Sequence, residues 1–432
     1  MEKNNFRKIA TITLFESAVQ WYCFLLYGTA AGTVFNKVFF SQTGNGTTAL
    51  ILSYMSFAIG YIAGPFGAIF FGHIGDRKGR KVTMYASLLM MGISTSIIGI
   101  LPPAASAGVG VVIVLQLMRL AQCFGRGGTW GGGILMAYEN VPENKRSFYA
   151  AIPQIGLPIG FGLSSILIAV PTLLLPEDIF FTWGWRIPFL AAIILTLIVI
   201  RQKGEMMETE DYKKAQAKLE AEEKKHKVGF IPMVKGYWKT LLLGCGTRWV
   251  DGTFYNIFIV WILSYCINWL GMPLIQTYII TIIACIFKIP FTLFGGWCAQ
   301  KLGNTRTFVI GALASAVLSI PTLKVIELSK GNLAITIIGI VLGWSIAYNL
   351  IWAVISSLWS SYFETEVRYS GISFVYHVPS FLVAGMVPTI CTLLINYGKG
   401  DTIYVGIYST VVALISAACA LALKARHDRG EK

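Results

Sequence analysis

The sequence predicts an all-α integral membrane protein, with twelve transmembrane helices in two six-helix halves. Three observations carry that prediction. Hydrophobic residues make up 55% of the 432 positions and charged ones only 13%, about half the charged share of an average soluble chain. The apolar residues fall into twelve runs, most of them at or beyond the ~20 residues that cross hydrocarbon as a helix. The net charge is +14, and its placement is lopsided. About 26 of the 35 Lys and Arg lie in segments predicted on one side, and about four (Lys37, Lys324, Lys330, Lys399) on the other. The positive-inside rule then puts both termini in the cytoplasm of an inner membrane. A basic surface facing anionic lipid accounts for the excess charge, and no nucleic-acid partner is implied.

The spans in order are Ile9–Phe35, Thr48–Phe71, Val82–Leu101, Gly110–Tyr138, Phe148–Val170, Trp183–Arg201, Trp238–Leu270, Leu274–Gln300, Phe308–Lys324, Leu333–Tyr362, Tyr369–Tyr397 and Thr402–Leu423. Lys3, Arg7 and Lys8 precede the first. That run contains Glu16 and Gln20 and continues past Tyr27 without a clear cleavage site, so it reads as a retained span rather than a signal peptide. Spans two and three are joined by the basic, glycine-punctuated stretch Gly72-His73-Ile74-Gly75-Asp76-Arg77-Lys78-Gly79-Arg80-Lys81, which reads as a tight loop. Spans six and seven are separated by a polar segment of mixed charge and strong helix formers, expected to be a cytoplasmic surface helix. The expected divisions are therefore 1–201, a linker 202–237, 238–424 and a tail 425–432. The eight cysteines show no CxxC spacing and lie almost all in apolar runs, as buried thiols do. No metal or other cofactor is expected, and the chain is expected to act as a monomer.

The stretch GHIGDRKGRK is similar to the loop between helices two and three of the major facilitator superfamily. Further stretches resemble the metabolite:proton symporter family, which includes α-ketoglutarate, shikimate, citrate and proline/betaine permeases: Gln20-Trp21-Tyr22-Cys23-Phe24-Leu25-Leu26-Tyr27-Gly28, Arg119-Leu120-Ala121-Gln122-Cys123-Phe124-Gly125-Arg126-Gly127-Gly128 and Trp183-Gly184-Trp185-Arg186. The resemblance implies a conformational latch of Gly72, Asp76, Arg77, Gly79, Arg80, Arg119, Glu139 and Arg146, with Glu364 and Arg368 at the equivalent place in the second half. The corresponding second-half loop, Gly295 to Arg306, lacks the Asp-Arg pair, so only the first latch is expected intact. Where the family carries acidic groups this chain has Gln20, Cys23 and Thr129, which weakens the expectation of proton symport.

An ionisable group in mid-span is costly and marks a functional site. Arg126, Arg248 and Lys288 are such groups, and together they predict an electropositive cavity that attracts carboxylates. Gln20, Tyr27, Gln154, Tyr255, Trp352 and His377 are the other expected substrate contacts. Asp251, one helical turn from Arg248, and Glu16 are the candidate proton carriers. Each has a plainer reading: a buried ion pair for Arg248 and Asp251, a packing residue for His377, an apolar wall for Trp344, Tyr348 and Trp352. Arg186 reads as an interfacial anchor beside two tryptophans.

The expected function is secondary transport of a small mono- or dicarboxylate by alternating access, through proton symport or through exchange with a counter-anion or uniport. A zwitterionic osmolyte carrier for proline or betaine is the rival, since aromatic faces suit a quaternary ammonium. A non-transporting membrane sensor is a rival of another class. No nucleotide-binding loop or catalytic triad is present, and the chain is not expected to be an enzyme.

Overall fold

The structure is a computed structural model that describes residues 3–78, 80–128, 146–207, 230–364 and 367–431. Twelve long helical passes traverse it: α1 Lys3–Thr33, α2 Gly46–Lys78, α3 Arg80–Ile100, α4 Val109–Gly127, α5 Arg146–Leu174, α6 Glu177–Gln202, α7 Met233–Asn268, α8 Leu274–Leu302, α9 Asn304–Leu328, α10 Leu333–Tyr362, α11 Ser370–Tyr397 and α12 Ile403–Asp428. Helix is the structure such sequences must adopt, because hydrocarbon offers no partner to an unpaired backbone group. Eleven of the passes are long and apolar enough to cross a membrane by length and composition. The twelfth, α1, has the length, but Glu16, Ser17 and Gln20 dilute its apolar character.

The two halves pack alike. In the first, α1 lies on α5, α2 on α4 and α3 on α6; in the second, α7 lies on α11, α8 on α10 and α9 on α12. Each is the first pattern shifted by six helices, the arrangement expected of an internal repeat. The halves meet where α1 touches α7, α2 touches α11 and α5 touches α8. Close approach is bought by absent side chains: a Cβ on Gly67 of α2 would lie 2.0 Å from the Phe124 carbonyl oxygen, and one on Gly127 of α4 would lie 2.3 Å from that of Gly64. Large apolar side chains such as Phe66, Leu173, Val317 and Leu382 point outward, where lipid would cover them.

Several sequence expectations change in detail. The 72–81 stretch is not an open loop: α2 stays helical through Lys78 and α3 begins at Arg80. The side chains of Asp76, Arg77 and Arg80, the surroundings of Gly72, and Gly79 itself lie outside the described residues, as do Glu139 and residues 208–229 of the linker. The seventh pass begins before Trp238; helix starts at Phe230 and kinks at Tyr237 (φ −116°, ψ 18°). Arg186 lies over the rings of Trp183 (5.5 Å) and Trp185 (4.8 Å). It is buried, and its guanidinium donates to the carbonyls of Thr182 (2.8 Å), Gly99 (2.9 Å) and Leu101 (2.7 Å). Two of those carbonyls belong to the end of α3, where no further helical turn satisfies them, so a cation is favoured there.

Four passes contain π-helical turns: Phe180–Gly184, Ile257–Trp261, Val341–Ala347 and Phe381–Gly385. Three lie in the second half, on the helices that carry the site described next. Such bulges commonly mark functional positions.

Candidate functional site

Mid-way along the bundle, buried polar groups from five helices form one connected chain. Arg126 of α4 donates to the Tyr376 hydroxyl of α11 at 2.5 Å. The Arg248 guanidinium of α7 lies 4.5 Å from the centre of the same Tyr376 ring. Arg248 donates to Asp251 one turn along its own helix, and Asp251 also accepts from the Tyr348 hydroxyl of α10. The Lys288 ammonium of α8 sits 4.4 Å from the Tyr348 ring centre and 4.6 Å from that of Trp344. It donates to Asn349 Oδ1 (3.0 Å) and the Trp344 carbonyl (3.4 Å). Thus the three predicted cations share one neighbourhood, in which Asp251 is the carboxylate paired with Arg248. All are 5% exposed or less.

Lys288 differs from Arg248. An ion pair offsets part of the cost of burying a guanidinium. Among the described residues, the fully buried ammonium of Lys288 is met by a side-chain amide oxygen, a carbonyl oxygen and two aromatic faces, with no carboxylate hydrogen-bonded to it. Asn349 is held in place to do this, donating to the Lys288 carbonyl at 2.8 Å while its Oδ1 also accepts from Thr292 at 3.1 Å.

Aromatic rings wall the chain. Trp21 of α1 meets Trp352 (5.4 Å between centres), Tyr255 (5.9 Å) and Phe24 (6.1 Å), all edge to face, and Arg126 lies 4.4 Å over it. The Tyr61 and Tyr255 hydroxyls are 3.3 Å apart. Trp352 Nε1 donates to the Gln154 carbonyl of α5 at 3.0 Å. Buried donors are left over: Gln154 Nε2, Trp344 Nε1 and Arg248 Nε have no hydrogen-bond partner. Orphaned buried donors are rare enough to require an explanation, and a visiting acceptor is one.

The chain is closed off at both ends of the bundle. Toward the end carrying the chain termini, Ser147 of α5 donates to Asn304 Oδ1 (2.9 Å), Gln300 Oε1 accepts from the Phe148 backbone (3.4 Å) and Asn304 Oδ1 also accepts from Ser357 (3.1 Å). Toward the far end, Tyr54 of α2 donates to Ser264 of α7 (2.7 Å), and the Thr33 and Tyr278 hydroxyls are 3.1 Å apart. Among the described residues, both sets include hydrogen bonds that tie one half to the other.

The remaining predicted residues are spread more widely. Tyr27 lies in the core of the first half, where its hydroxyl pairs with Ser56 (2.8 Å) and its ring faces Arg119. Arg119 lies within α4. It is fully buried among Phe24, Tyr27 and Phe57, donating to Gln122 and to the Phe57 carbonyl (3.5 Å). His377 is buried with its ring edge against Tyr376 and its Nδ1 over Gly64 of α2. Glu16 and Gln20 are buried on α1. In the second half, Glu364 accepts from Tyr237 (2.7 Å), and Arg368 donates to the carbonyls of Ser360 (2.9 Å) and Phe363 (3.3 Å) at the end of α10. That half keeps its helix ends tied without the Asp-Arg pair. Tyr376, Trp21 and Asn349 were missed as site residues. Tyr376 looks like an ordinary membrane aromatic in sequence, whereas Trp21 stands in the family-like stretch of the first span and Asn349 is a lone amide in mid-span.

The sequence matches the family described as the Major Facilitator Superfamily over residues 17–388. It is 34% identical to the inner membrane metabolite transport protein YhjE of Escherichia coli, over 98% of this chain and 96% of that one. It is 31% identical to the shikimate transporter of the same organism (97% and 94%) and 26% identical to the proline/betaine transporter of Salmonella typhimurium (99% and 85%). Among solved structures it resembles a D-xylose-proton symporter, with a TM-score of 0.73 over 96% of both chains at 16% identity, a likeness of fold alone.

Proposed function

The chain belongs to the Major Facilitator Superfamily, and is thus a multi-pass membrane transporter and not an enzyme; we propose that its cargo is a small organic anion, a mono- or dicarboxylate. The observation that carries this reading is Lys288, buried completely and answered, among the described residues, by neutral oxygens and rings. Burying an ammonium without a counter-charge costs several kcal/mol, in the range of about 3–5 when a partner is missing. A carboxylate entering between α8, α10 and α4 offsets that cost, and finds Gln154 Nε2, Trp344 Nε1 and Arg248 Nε as unused donors. The aromatic wall of Trp21, Tyr255 and Trp352 then packs the body of the anion.

In this reading the protein lies in the inner membrane with both termini in the cytoplasm, and the site alternates between the two faces as the ties at each end open in turn. Asp251 is the group through which proton coupling would run. While Asp251 is ionised it holds Arg248 and Tyr348; once protonated it releases the guanidinium to the cargo. Exchange or uniport requires only that the anion itself screen the cations during crossing. The relative named for shikimate, itself a carboxylate, supports the anion reading. A second reading, a zwitterionic osmolyte, is favoured by the faces of Trp344 and Tyr348, which already hold an ammonium, and by the proline/betaine relative. The cation excess opposes it.

Uptake of labelled carboxylates and of betaine into proteoliposomes tests both. Carboxylate uptake is expected, with Lys288→Met lowering it at least about tenfold while the folded fraction holds, since an apolar replacement of a buried charge is tolerated. Betaine uptake indifferent to Lys288→Met and Arg248→Met would overturn the assignment. Stimulation by an inward proton gradient that disappears in Asp251→Asn identifies symport; stimulation only by a trans anion identifies exchange.

A further inference from the structure

A cavity of about 470 Å³ opens at the far end of the second half, remote from the cationic chain. The α7–α8, α9–α10 and α11–α12 connections enclose it, with Tyr265, Trp269, Glu327, Lys330, Lys399 and Asp401 among its lining residues. Its two carboxylates are already committed. The Lys324 ammonium bridges Glu327 (3.0 Å) and Asp401 (2.7 Å). Glu327 further accepts from the backbone (2.8 Å) and hydroxyl (2.7 Å) of Thr402, and Asp401 from the Ile403 backbone (2.7 Å). The hydrogen bond from Lys324 holds the exposed Asp401 carboxyl below its ordinary 3.8. The Lys330 and Lys399 ammonium groups, by contrast, have no carboxylate partner among the described residues.

The backbone beneath these two lysines is unusual. They are the two non-glycine residues at positive φ among those described, 48° and 51°. Each is followed by a glycine at positive φ, Gly331 (83°) and Gly400 (97°). Each pair is spanned by a turn hydrogen bond, Asn332 N to Ser329 O (2.9 Å) and Asp401 N to Gly398 O (3.1 Å). These are mirror-image turns of the type that favours Asn, Asp or Gly at its first central position. Lysine there is strained, and strain outside the regular elements points to a use for the side chain. Two separate connections put the same residue in the same strained place on one cavity.

We propose that this cavity binds a small carboxylate-bearing anion, taken between Lys330 and Lys399 with its body against Trp269. The site stands apart from the transport reading, since it needs no passage through the bundle. A flat apolar body suits the Trp269 ring, which packs against Gly400, where a Cβ would come within 2.7 Å of it.

Lysine reactivity tests the proposal on the full chain in phosphatidylcholine nanodiscs. A membrane-impermeant amine-acylating ester is added with benzoate, succinate or chloride at equal ionic strength, and modification of each lysine is followed by mass spectrometry. A bound carboxylate stabilises the ammonium form, and one unit of pKa slows acylation about tenfold. The expected result is saturable slowing at Lys330 and Lys399 with benzoate or succinate, with no change at Lys37. The slowing persists in Lys288→Met, which separates this cavity from the central site. Lys330→Asn, which suits positive φ, is expected to relieve the slowing at Lys399. Equal rates with all three salts would overturn the proposal, as would slowing that vanishes in Lys288→Met. Slowing that appears in phosphatidylglycerol nanodiscs without added carboxylate, and that added benzoate leaves unchanged, would assign the cavity to a lipid phosphate and equally overturn it.

Discussion

Arg248 and Lys288 show how alike two buried cations look in sequence and how differently they are held. Both stand in apolar runs, and only the i,i+3 spacing to Asp251 separates them. In the structure Arg248 has its carboxylate and Lys288 has none beside it. Truncating Arg248 therefore strands Asp251 and its bond to Tyr348. Arg248→Ala is expected to destabilise the fold by about 3–5 kcal/mol, whereas Arg248→Met combined with Asp251→Leu restores most of that loss. Thermal unfolding in detergent measures both, and a stable Arg248→Ala variant would contradict a load on this pair. The convergence of Arg126, Arg248 and Lys288 was legible because a charge in hydrocarbon is so costly that few explanations remain. Tyr376, which links two of them, was not, since nothing in a sequence separates a tyrosine that receives an arginine from one that faces lipid.

At the scale of the element, helix number and order were legible from hydrophobic run length alone. Local register was not. Trp344, Tyr348 and Trp352 repeat every four residues and read as one face, but Val341–Ala347 is π-helical. Trp344 and Tyr348 share the Lys288 ammonium, with Phe161 beside the first and Asp251 bonded to the second, whereas Trp352 meets Trp21 and Gln154. One residue subtends about 100° of helix. Deleting the half-exposed Leu342 is expected to restore ordinary winding and swing Tyr348 and Asn349 by about that angle relative to the far-end turns of α10. Helicity by circular dichroism should stay unchanged while transport is lost; retained transport would show that the bulge sets no register. The 72–81 stretch misled in the opposite direction, because glycines and charges that mark a loop in water do not stop a helix that already has its hydrogen bonds.

For the whole molecule, the two-half architecture followed from counting spans, but which state the halves occupy did not, since that depends on pairs distant in sequence. The ties at the terminal end are amides and hydroxyls, with Asn304 joining Ser147 to Ser357. Each net hydrogen bond is worth about 1 kcal/mol, or a factor of about five in a two-state population. Asn304→Ala is expected to shift the ensemble by about that factor or more toward opening at this end, read as spin-label distances between α5 and α8. Unchanged distances would mean that the closure is held elsewhere.

All eight cysteines are free thiols, six of them buried. Maturation of this carrier accordingly needs neither an oxidant nor an isomerase, and strong reductants should leave it as they found it.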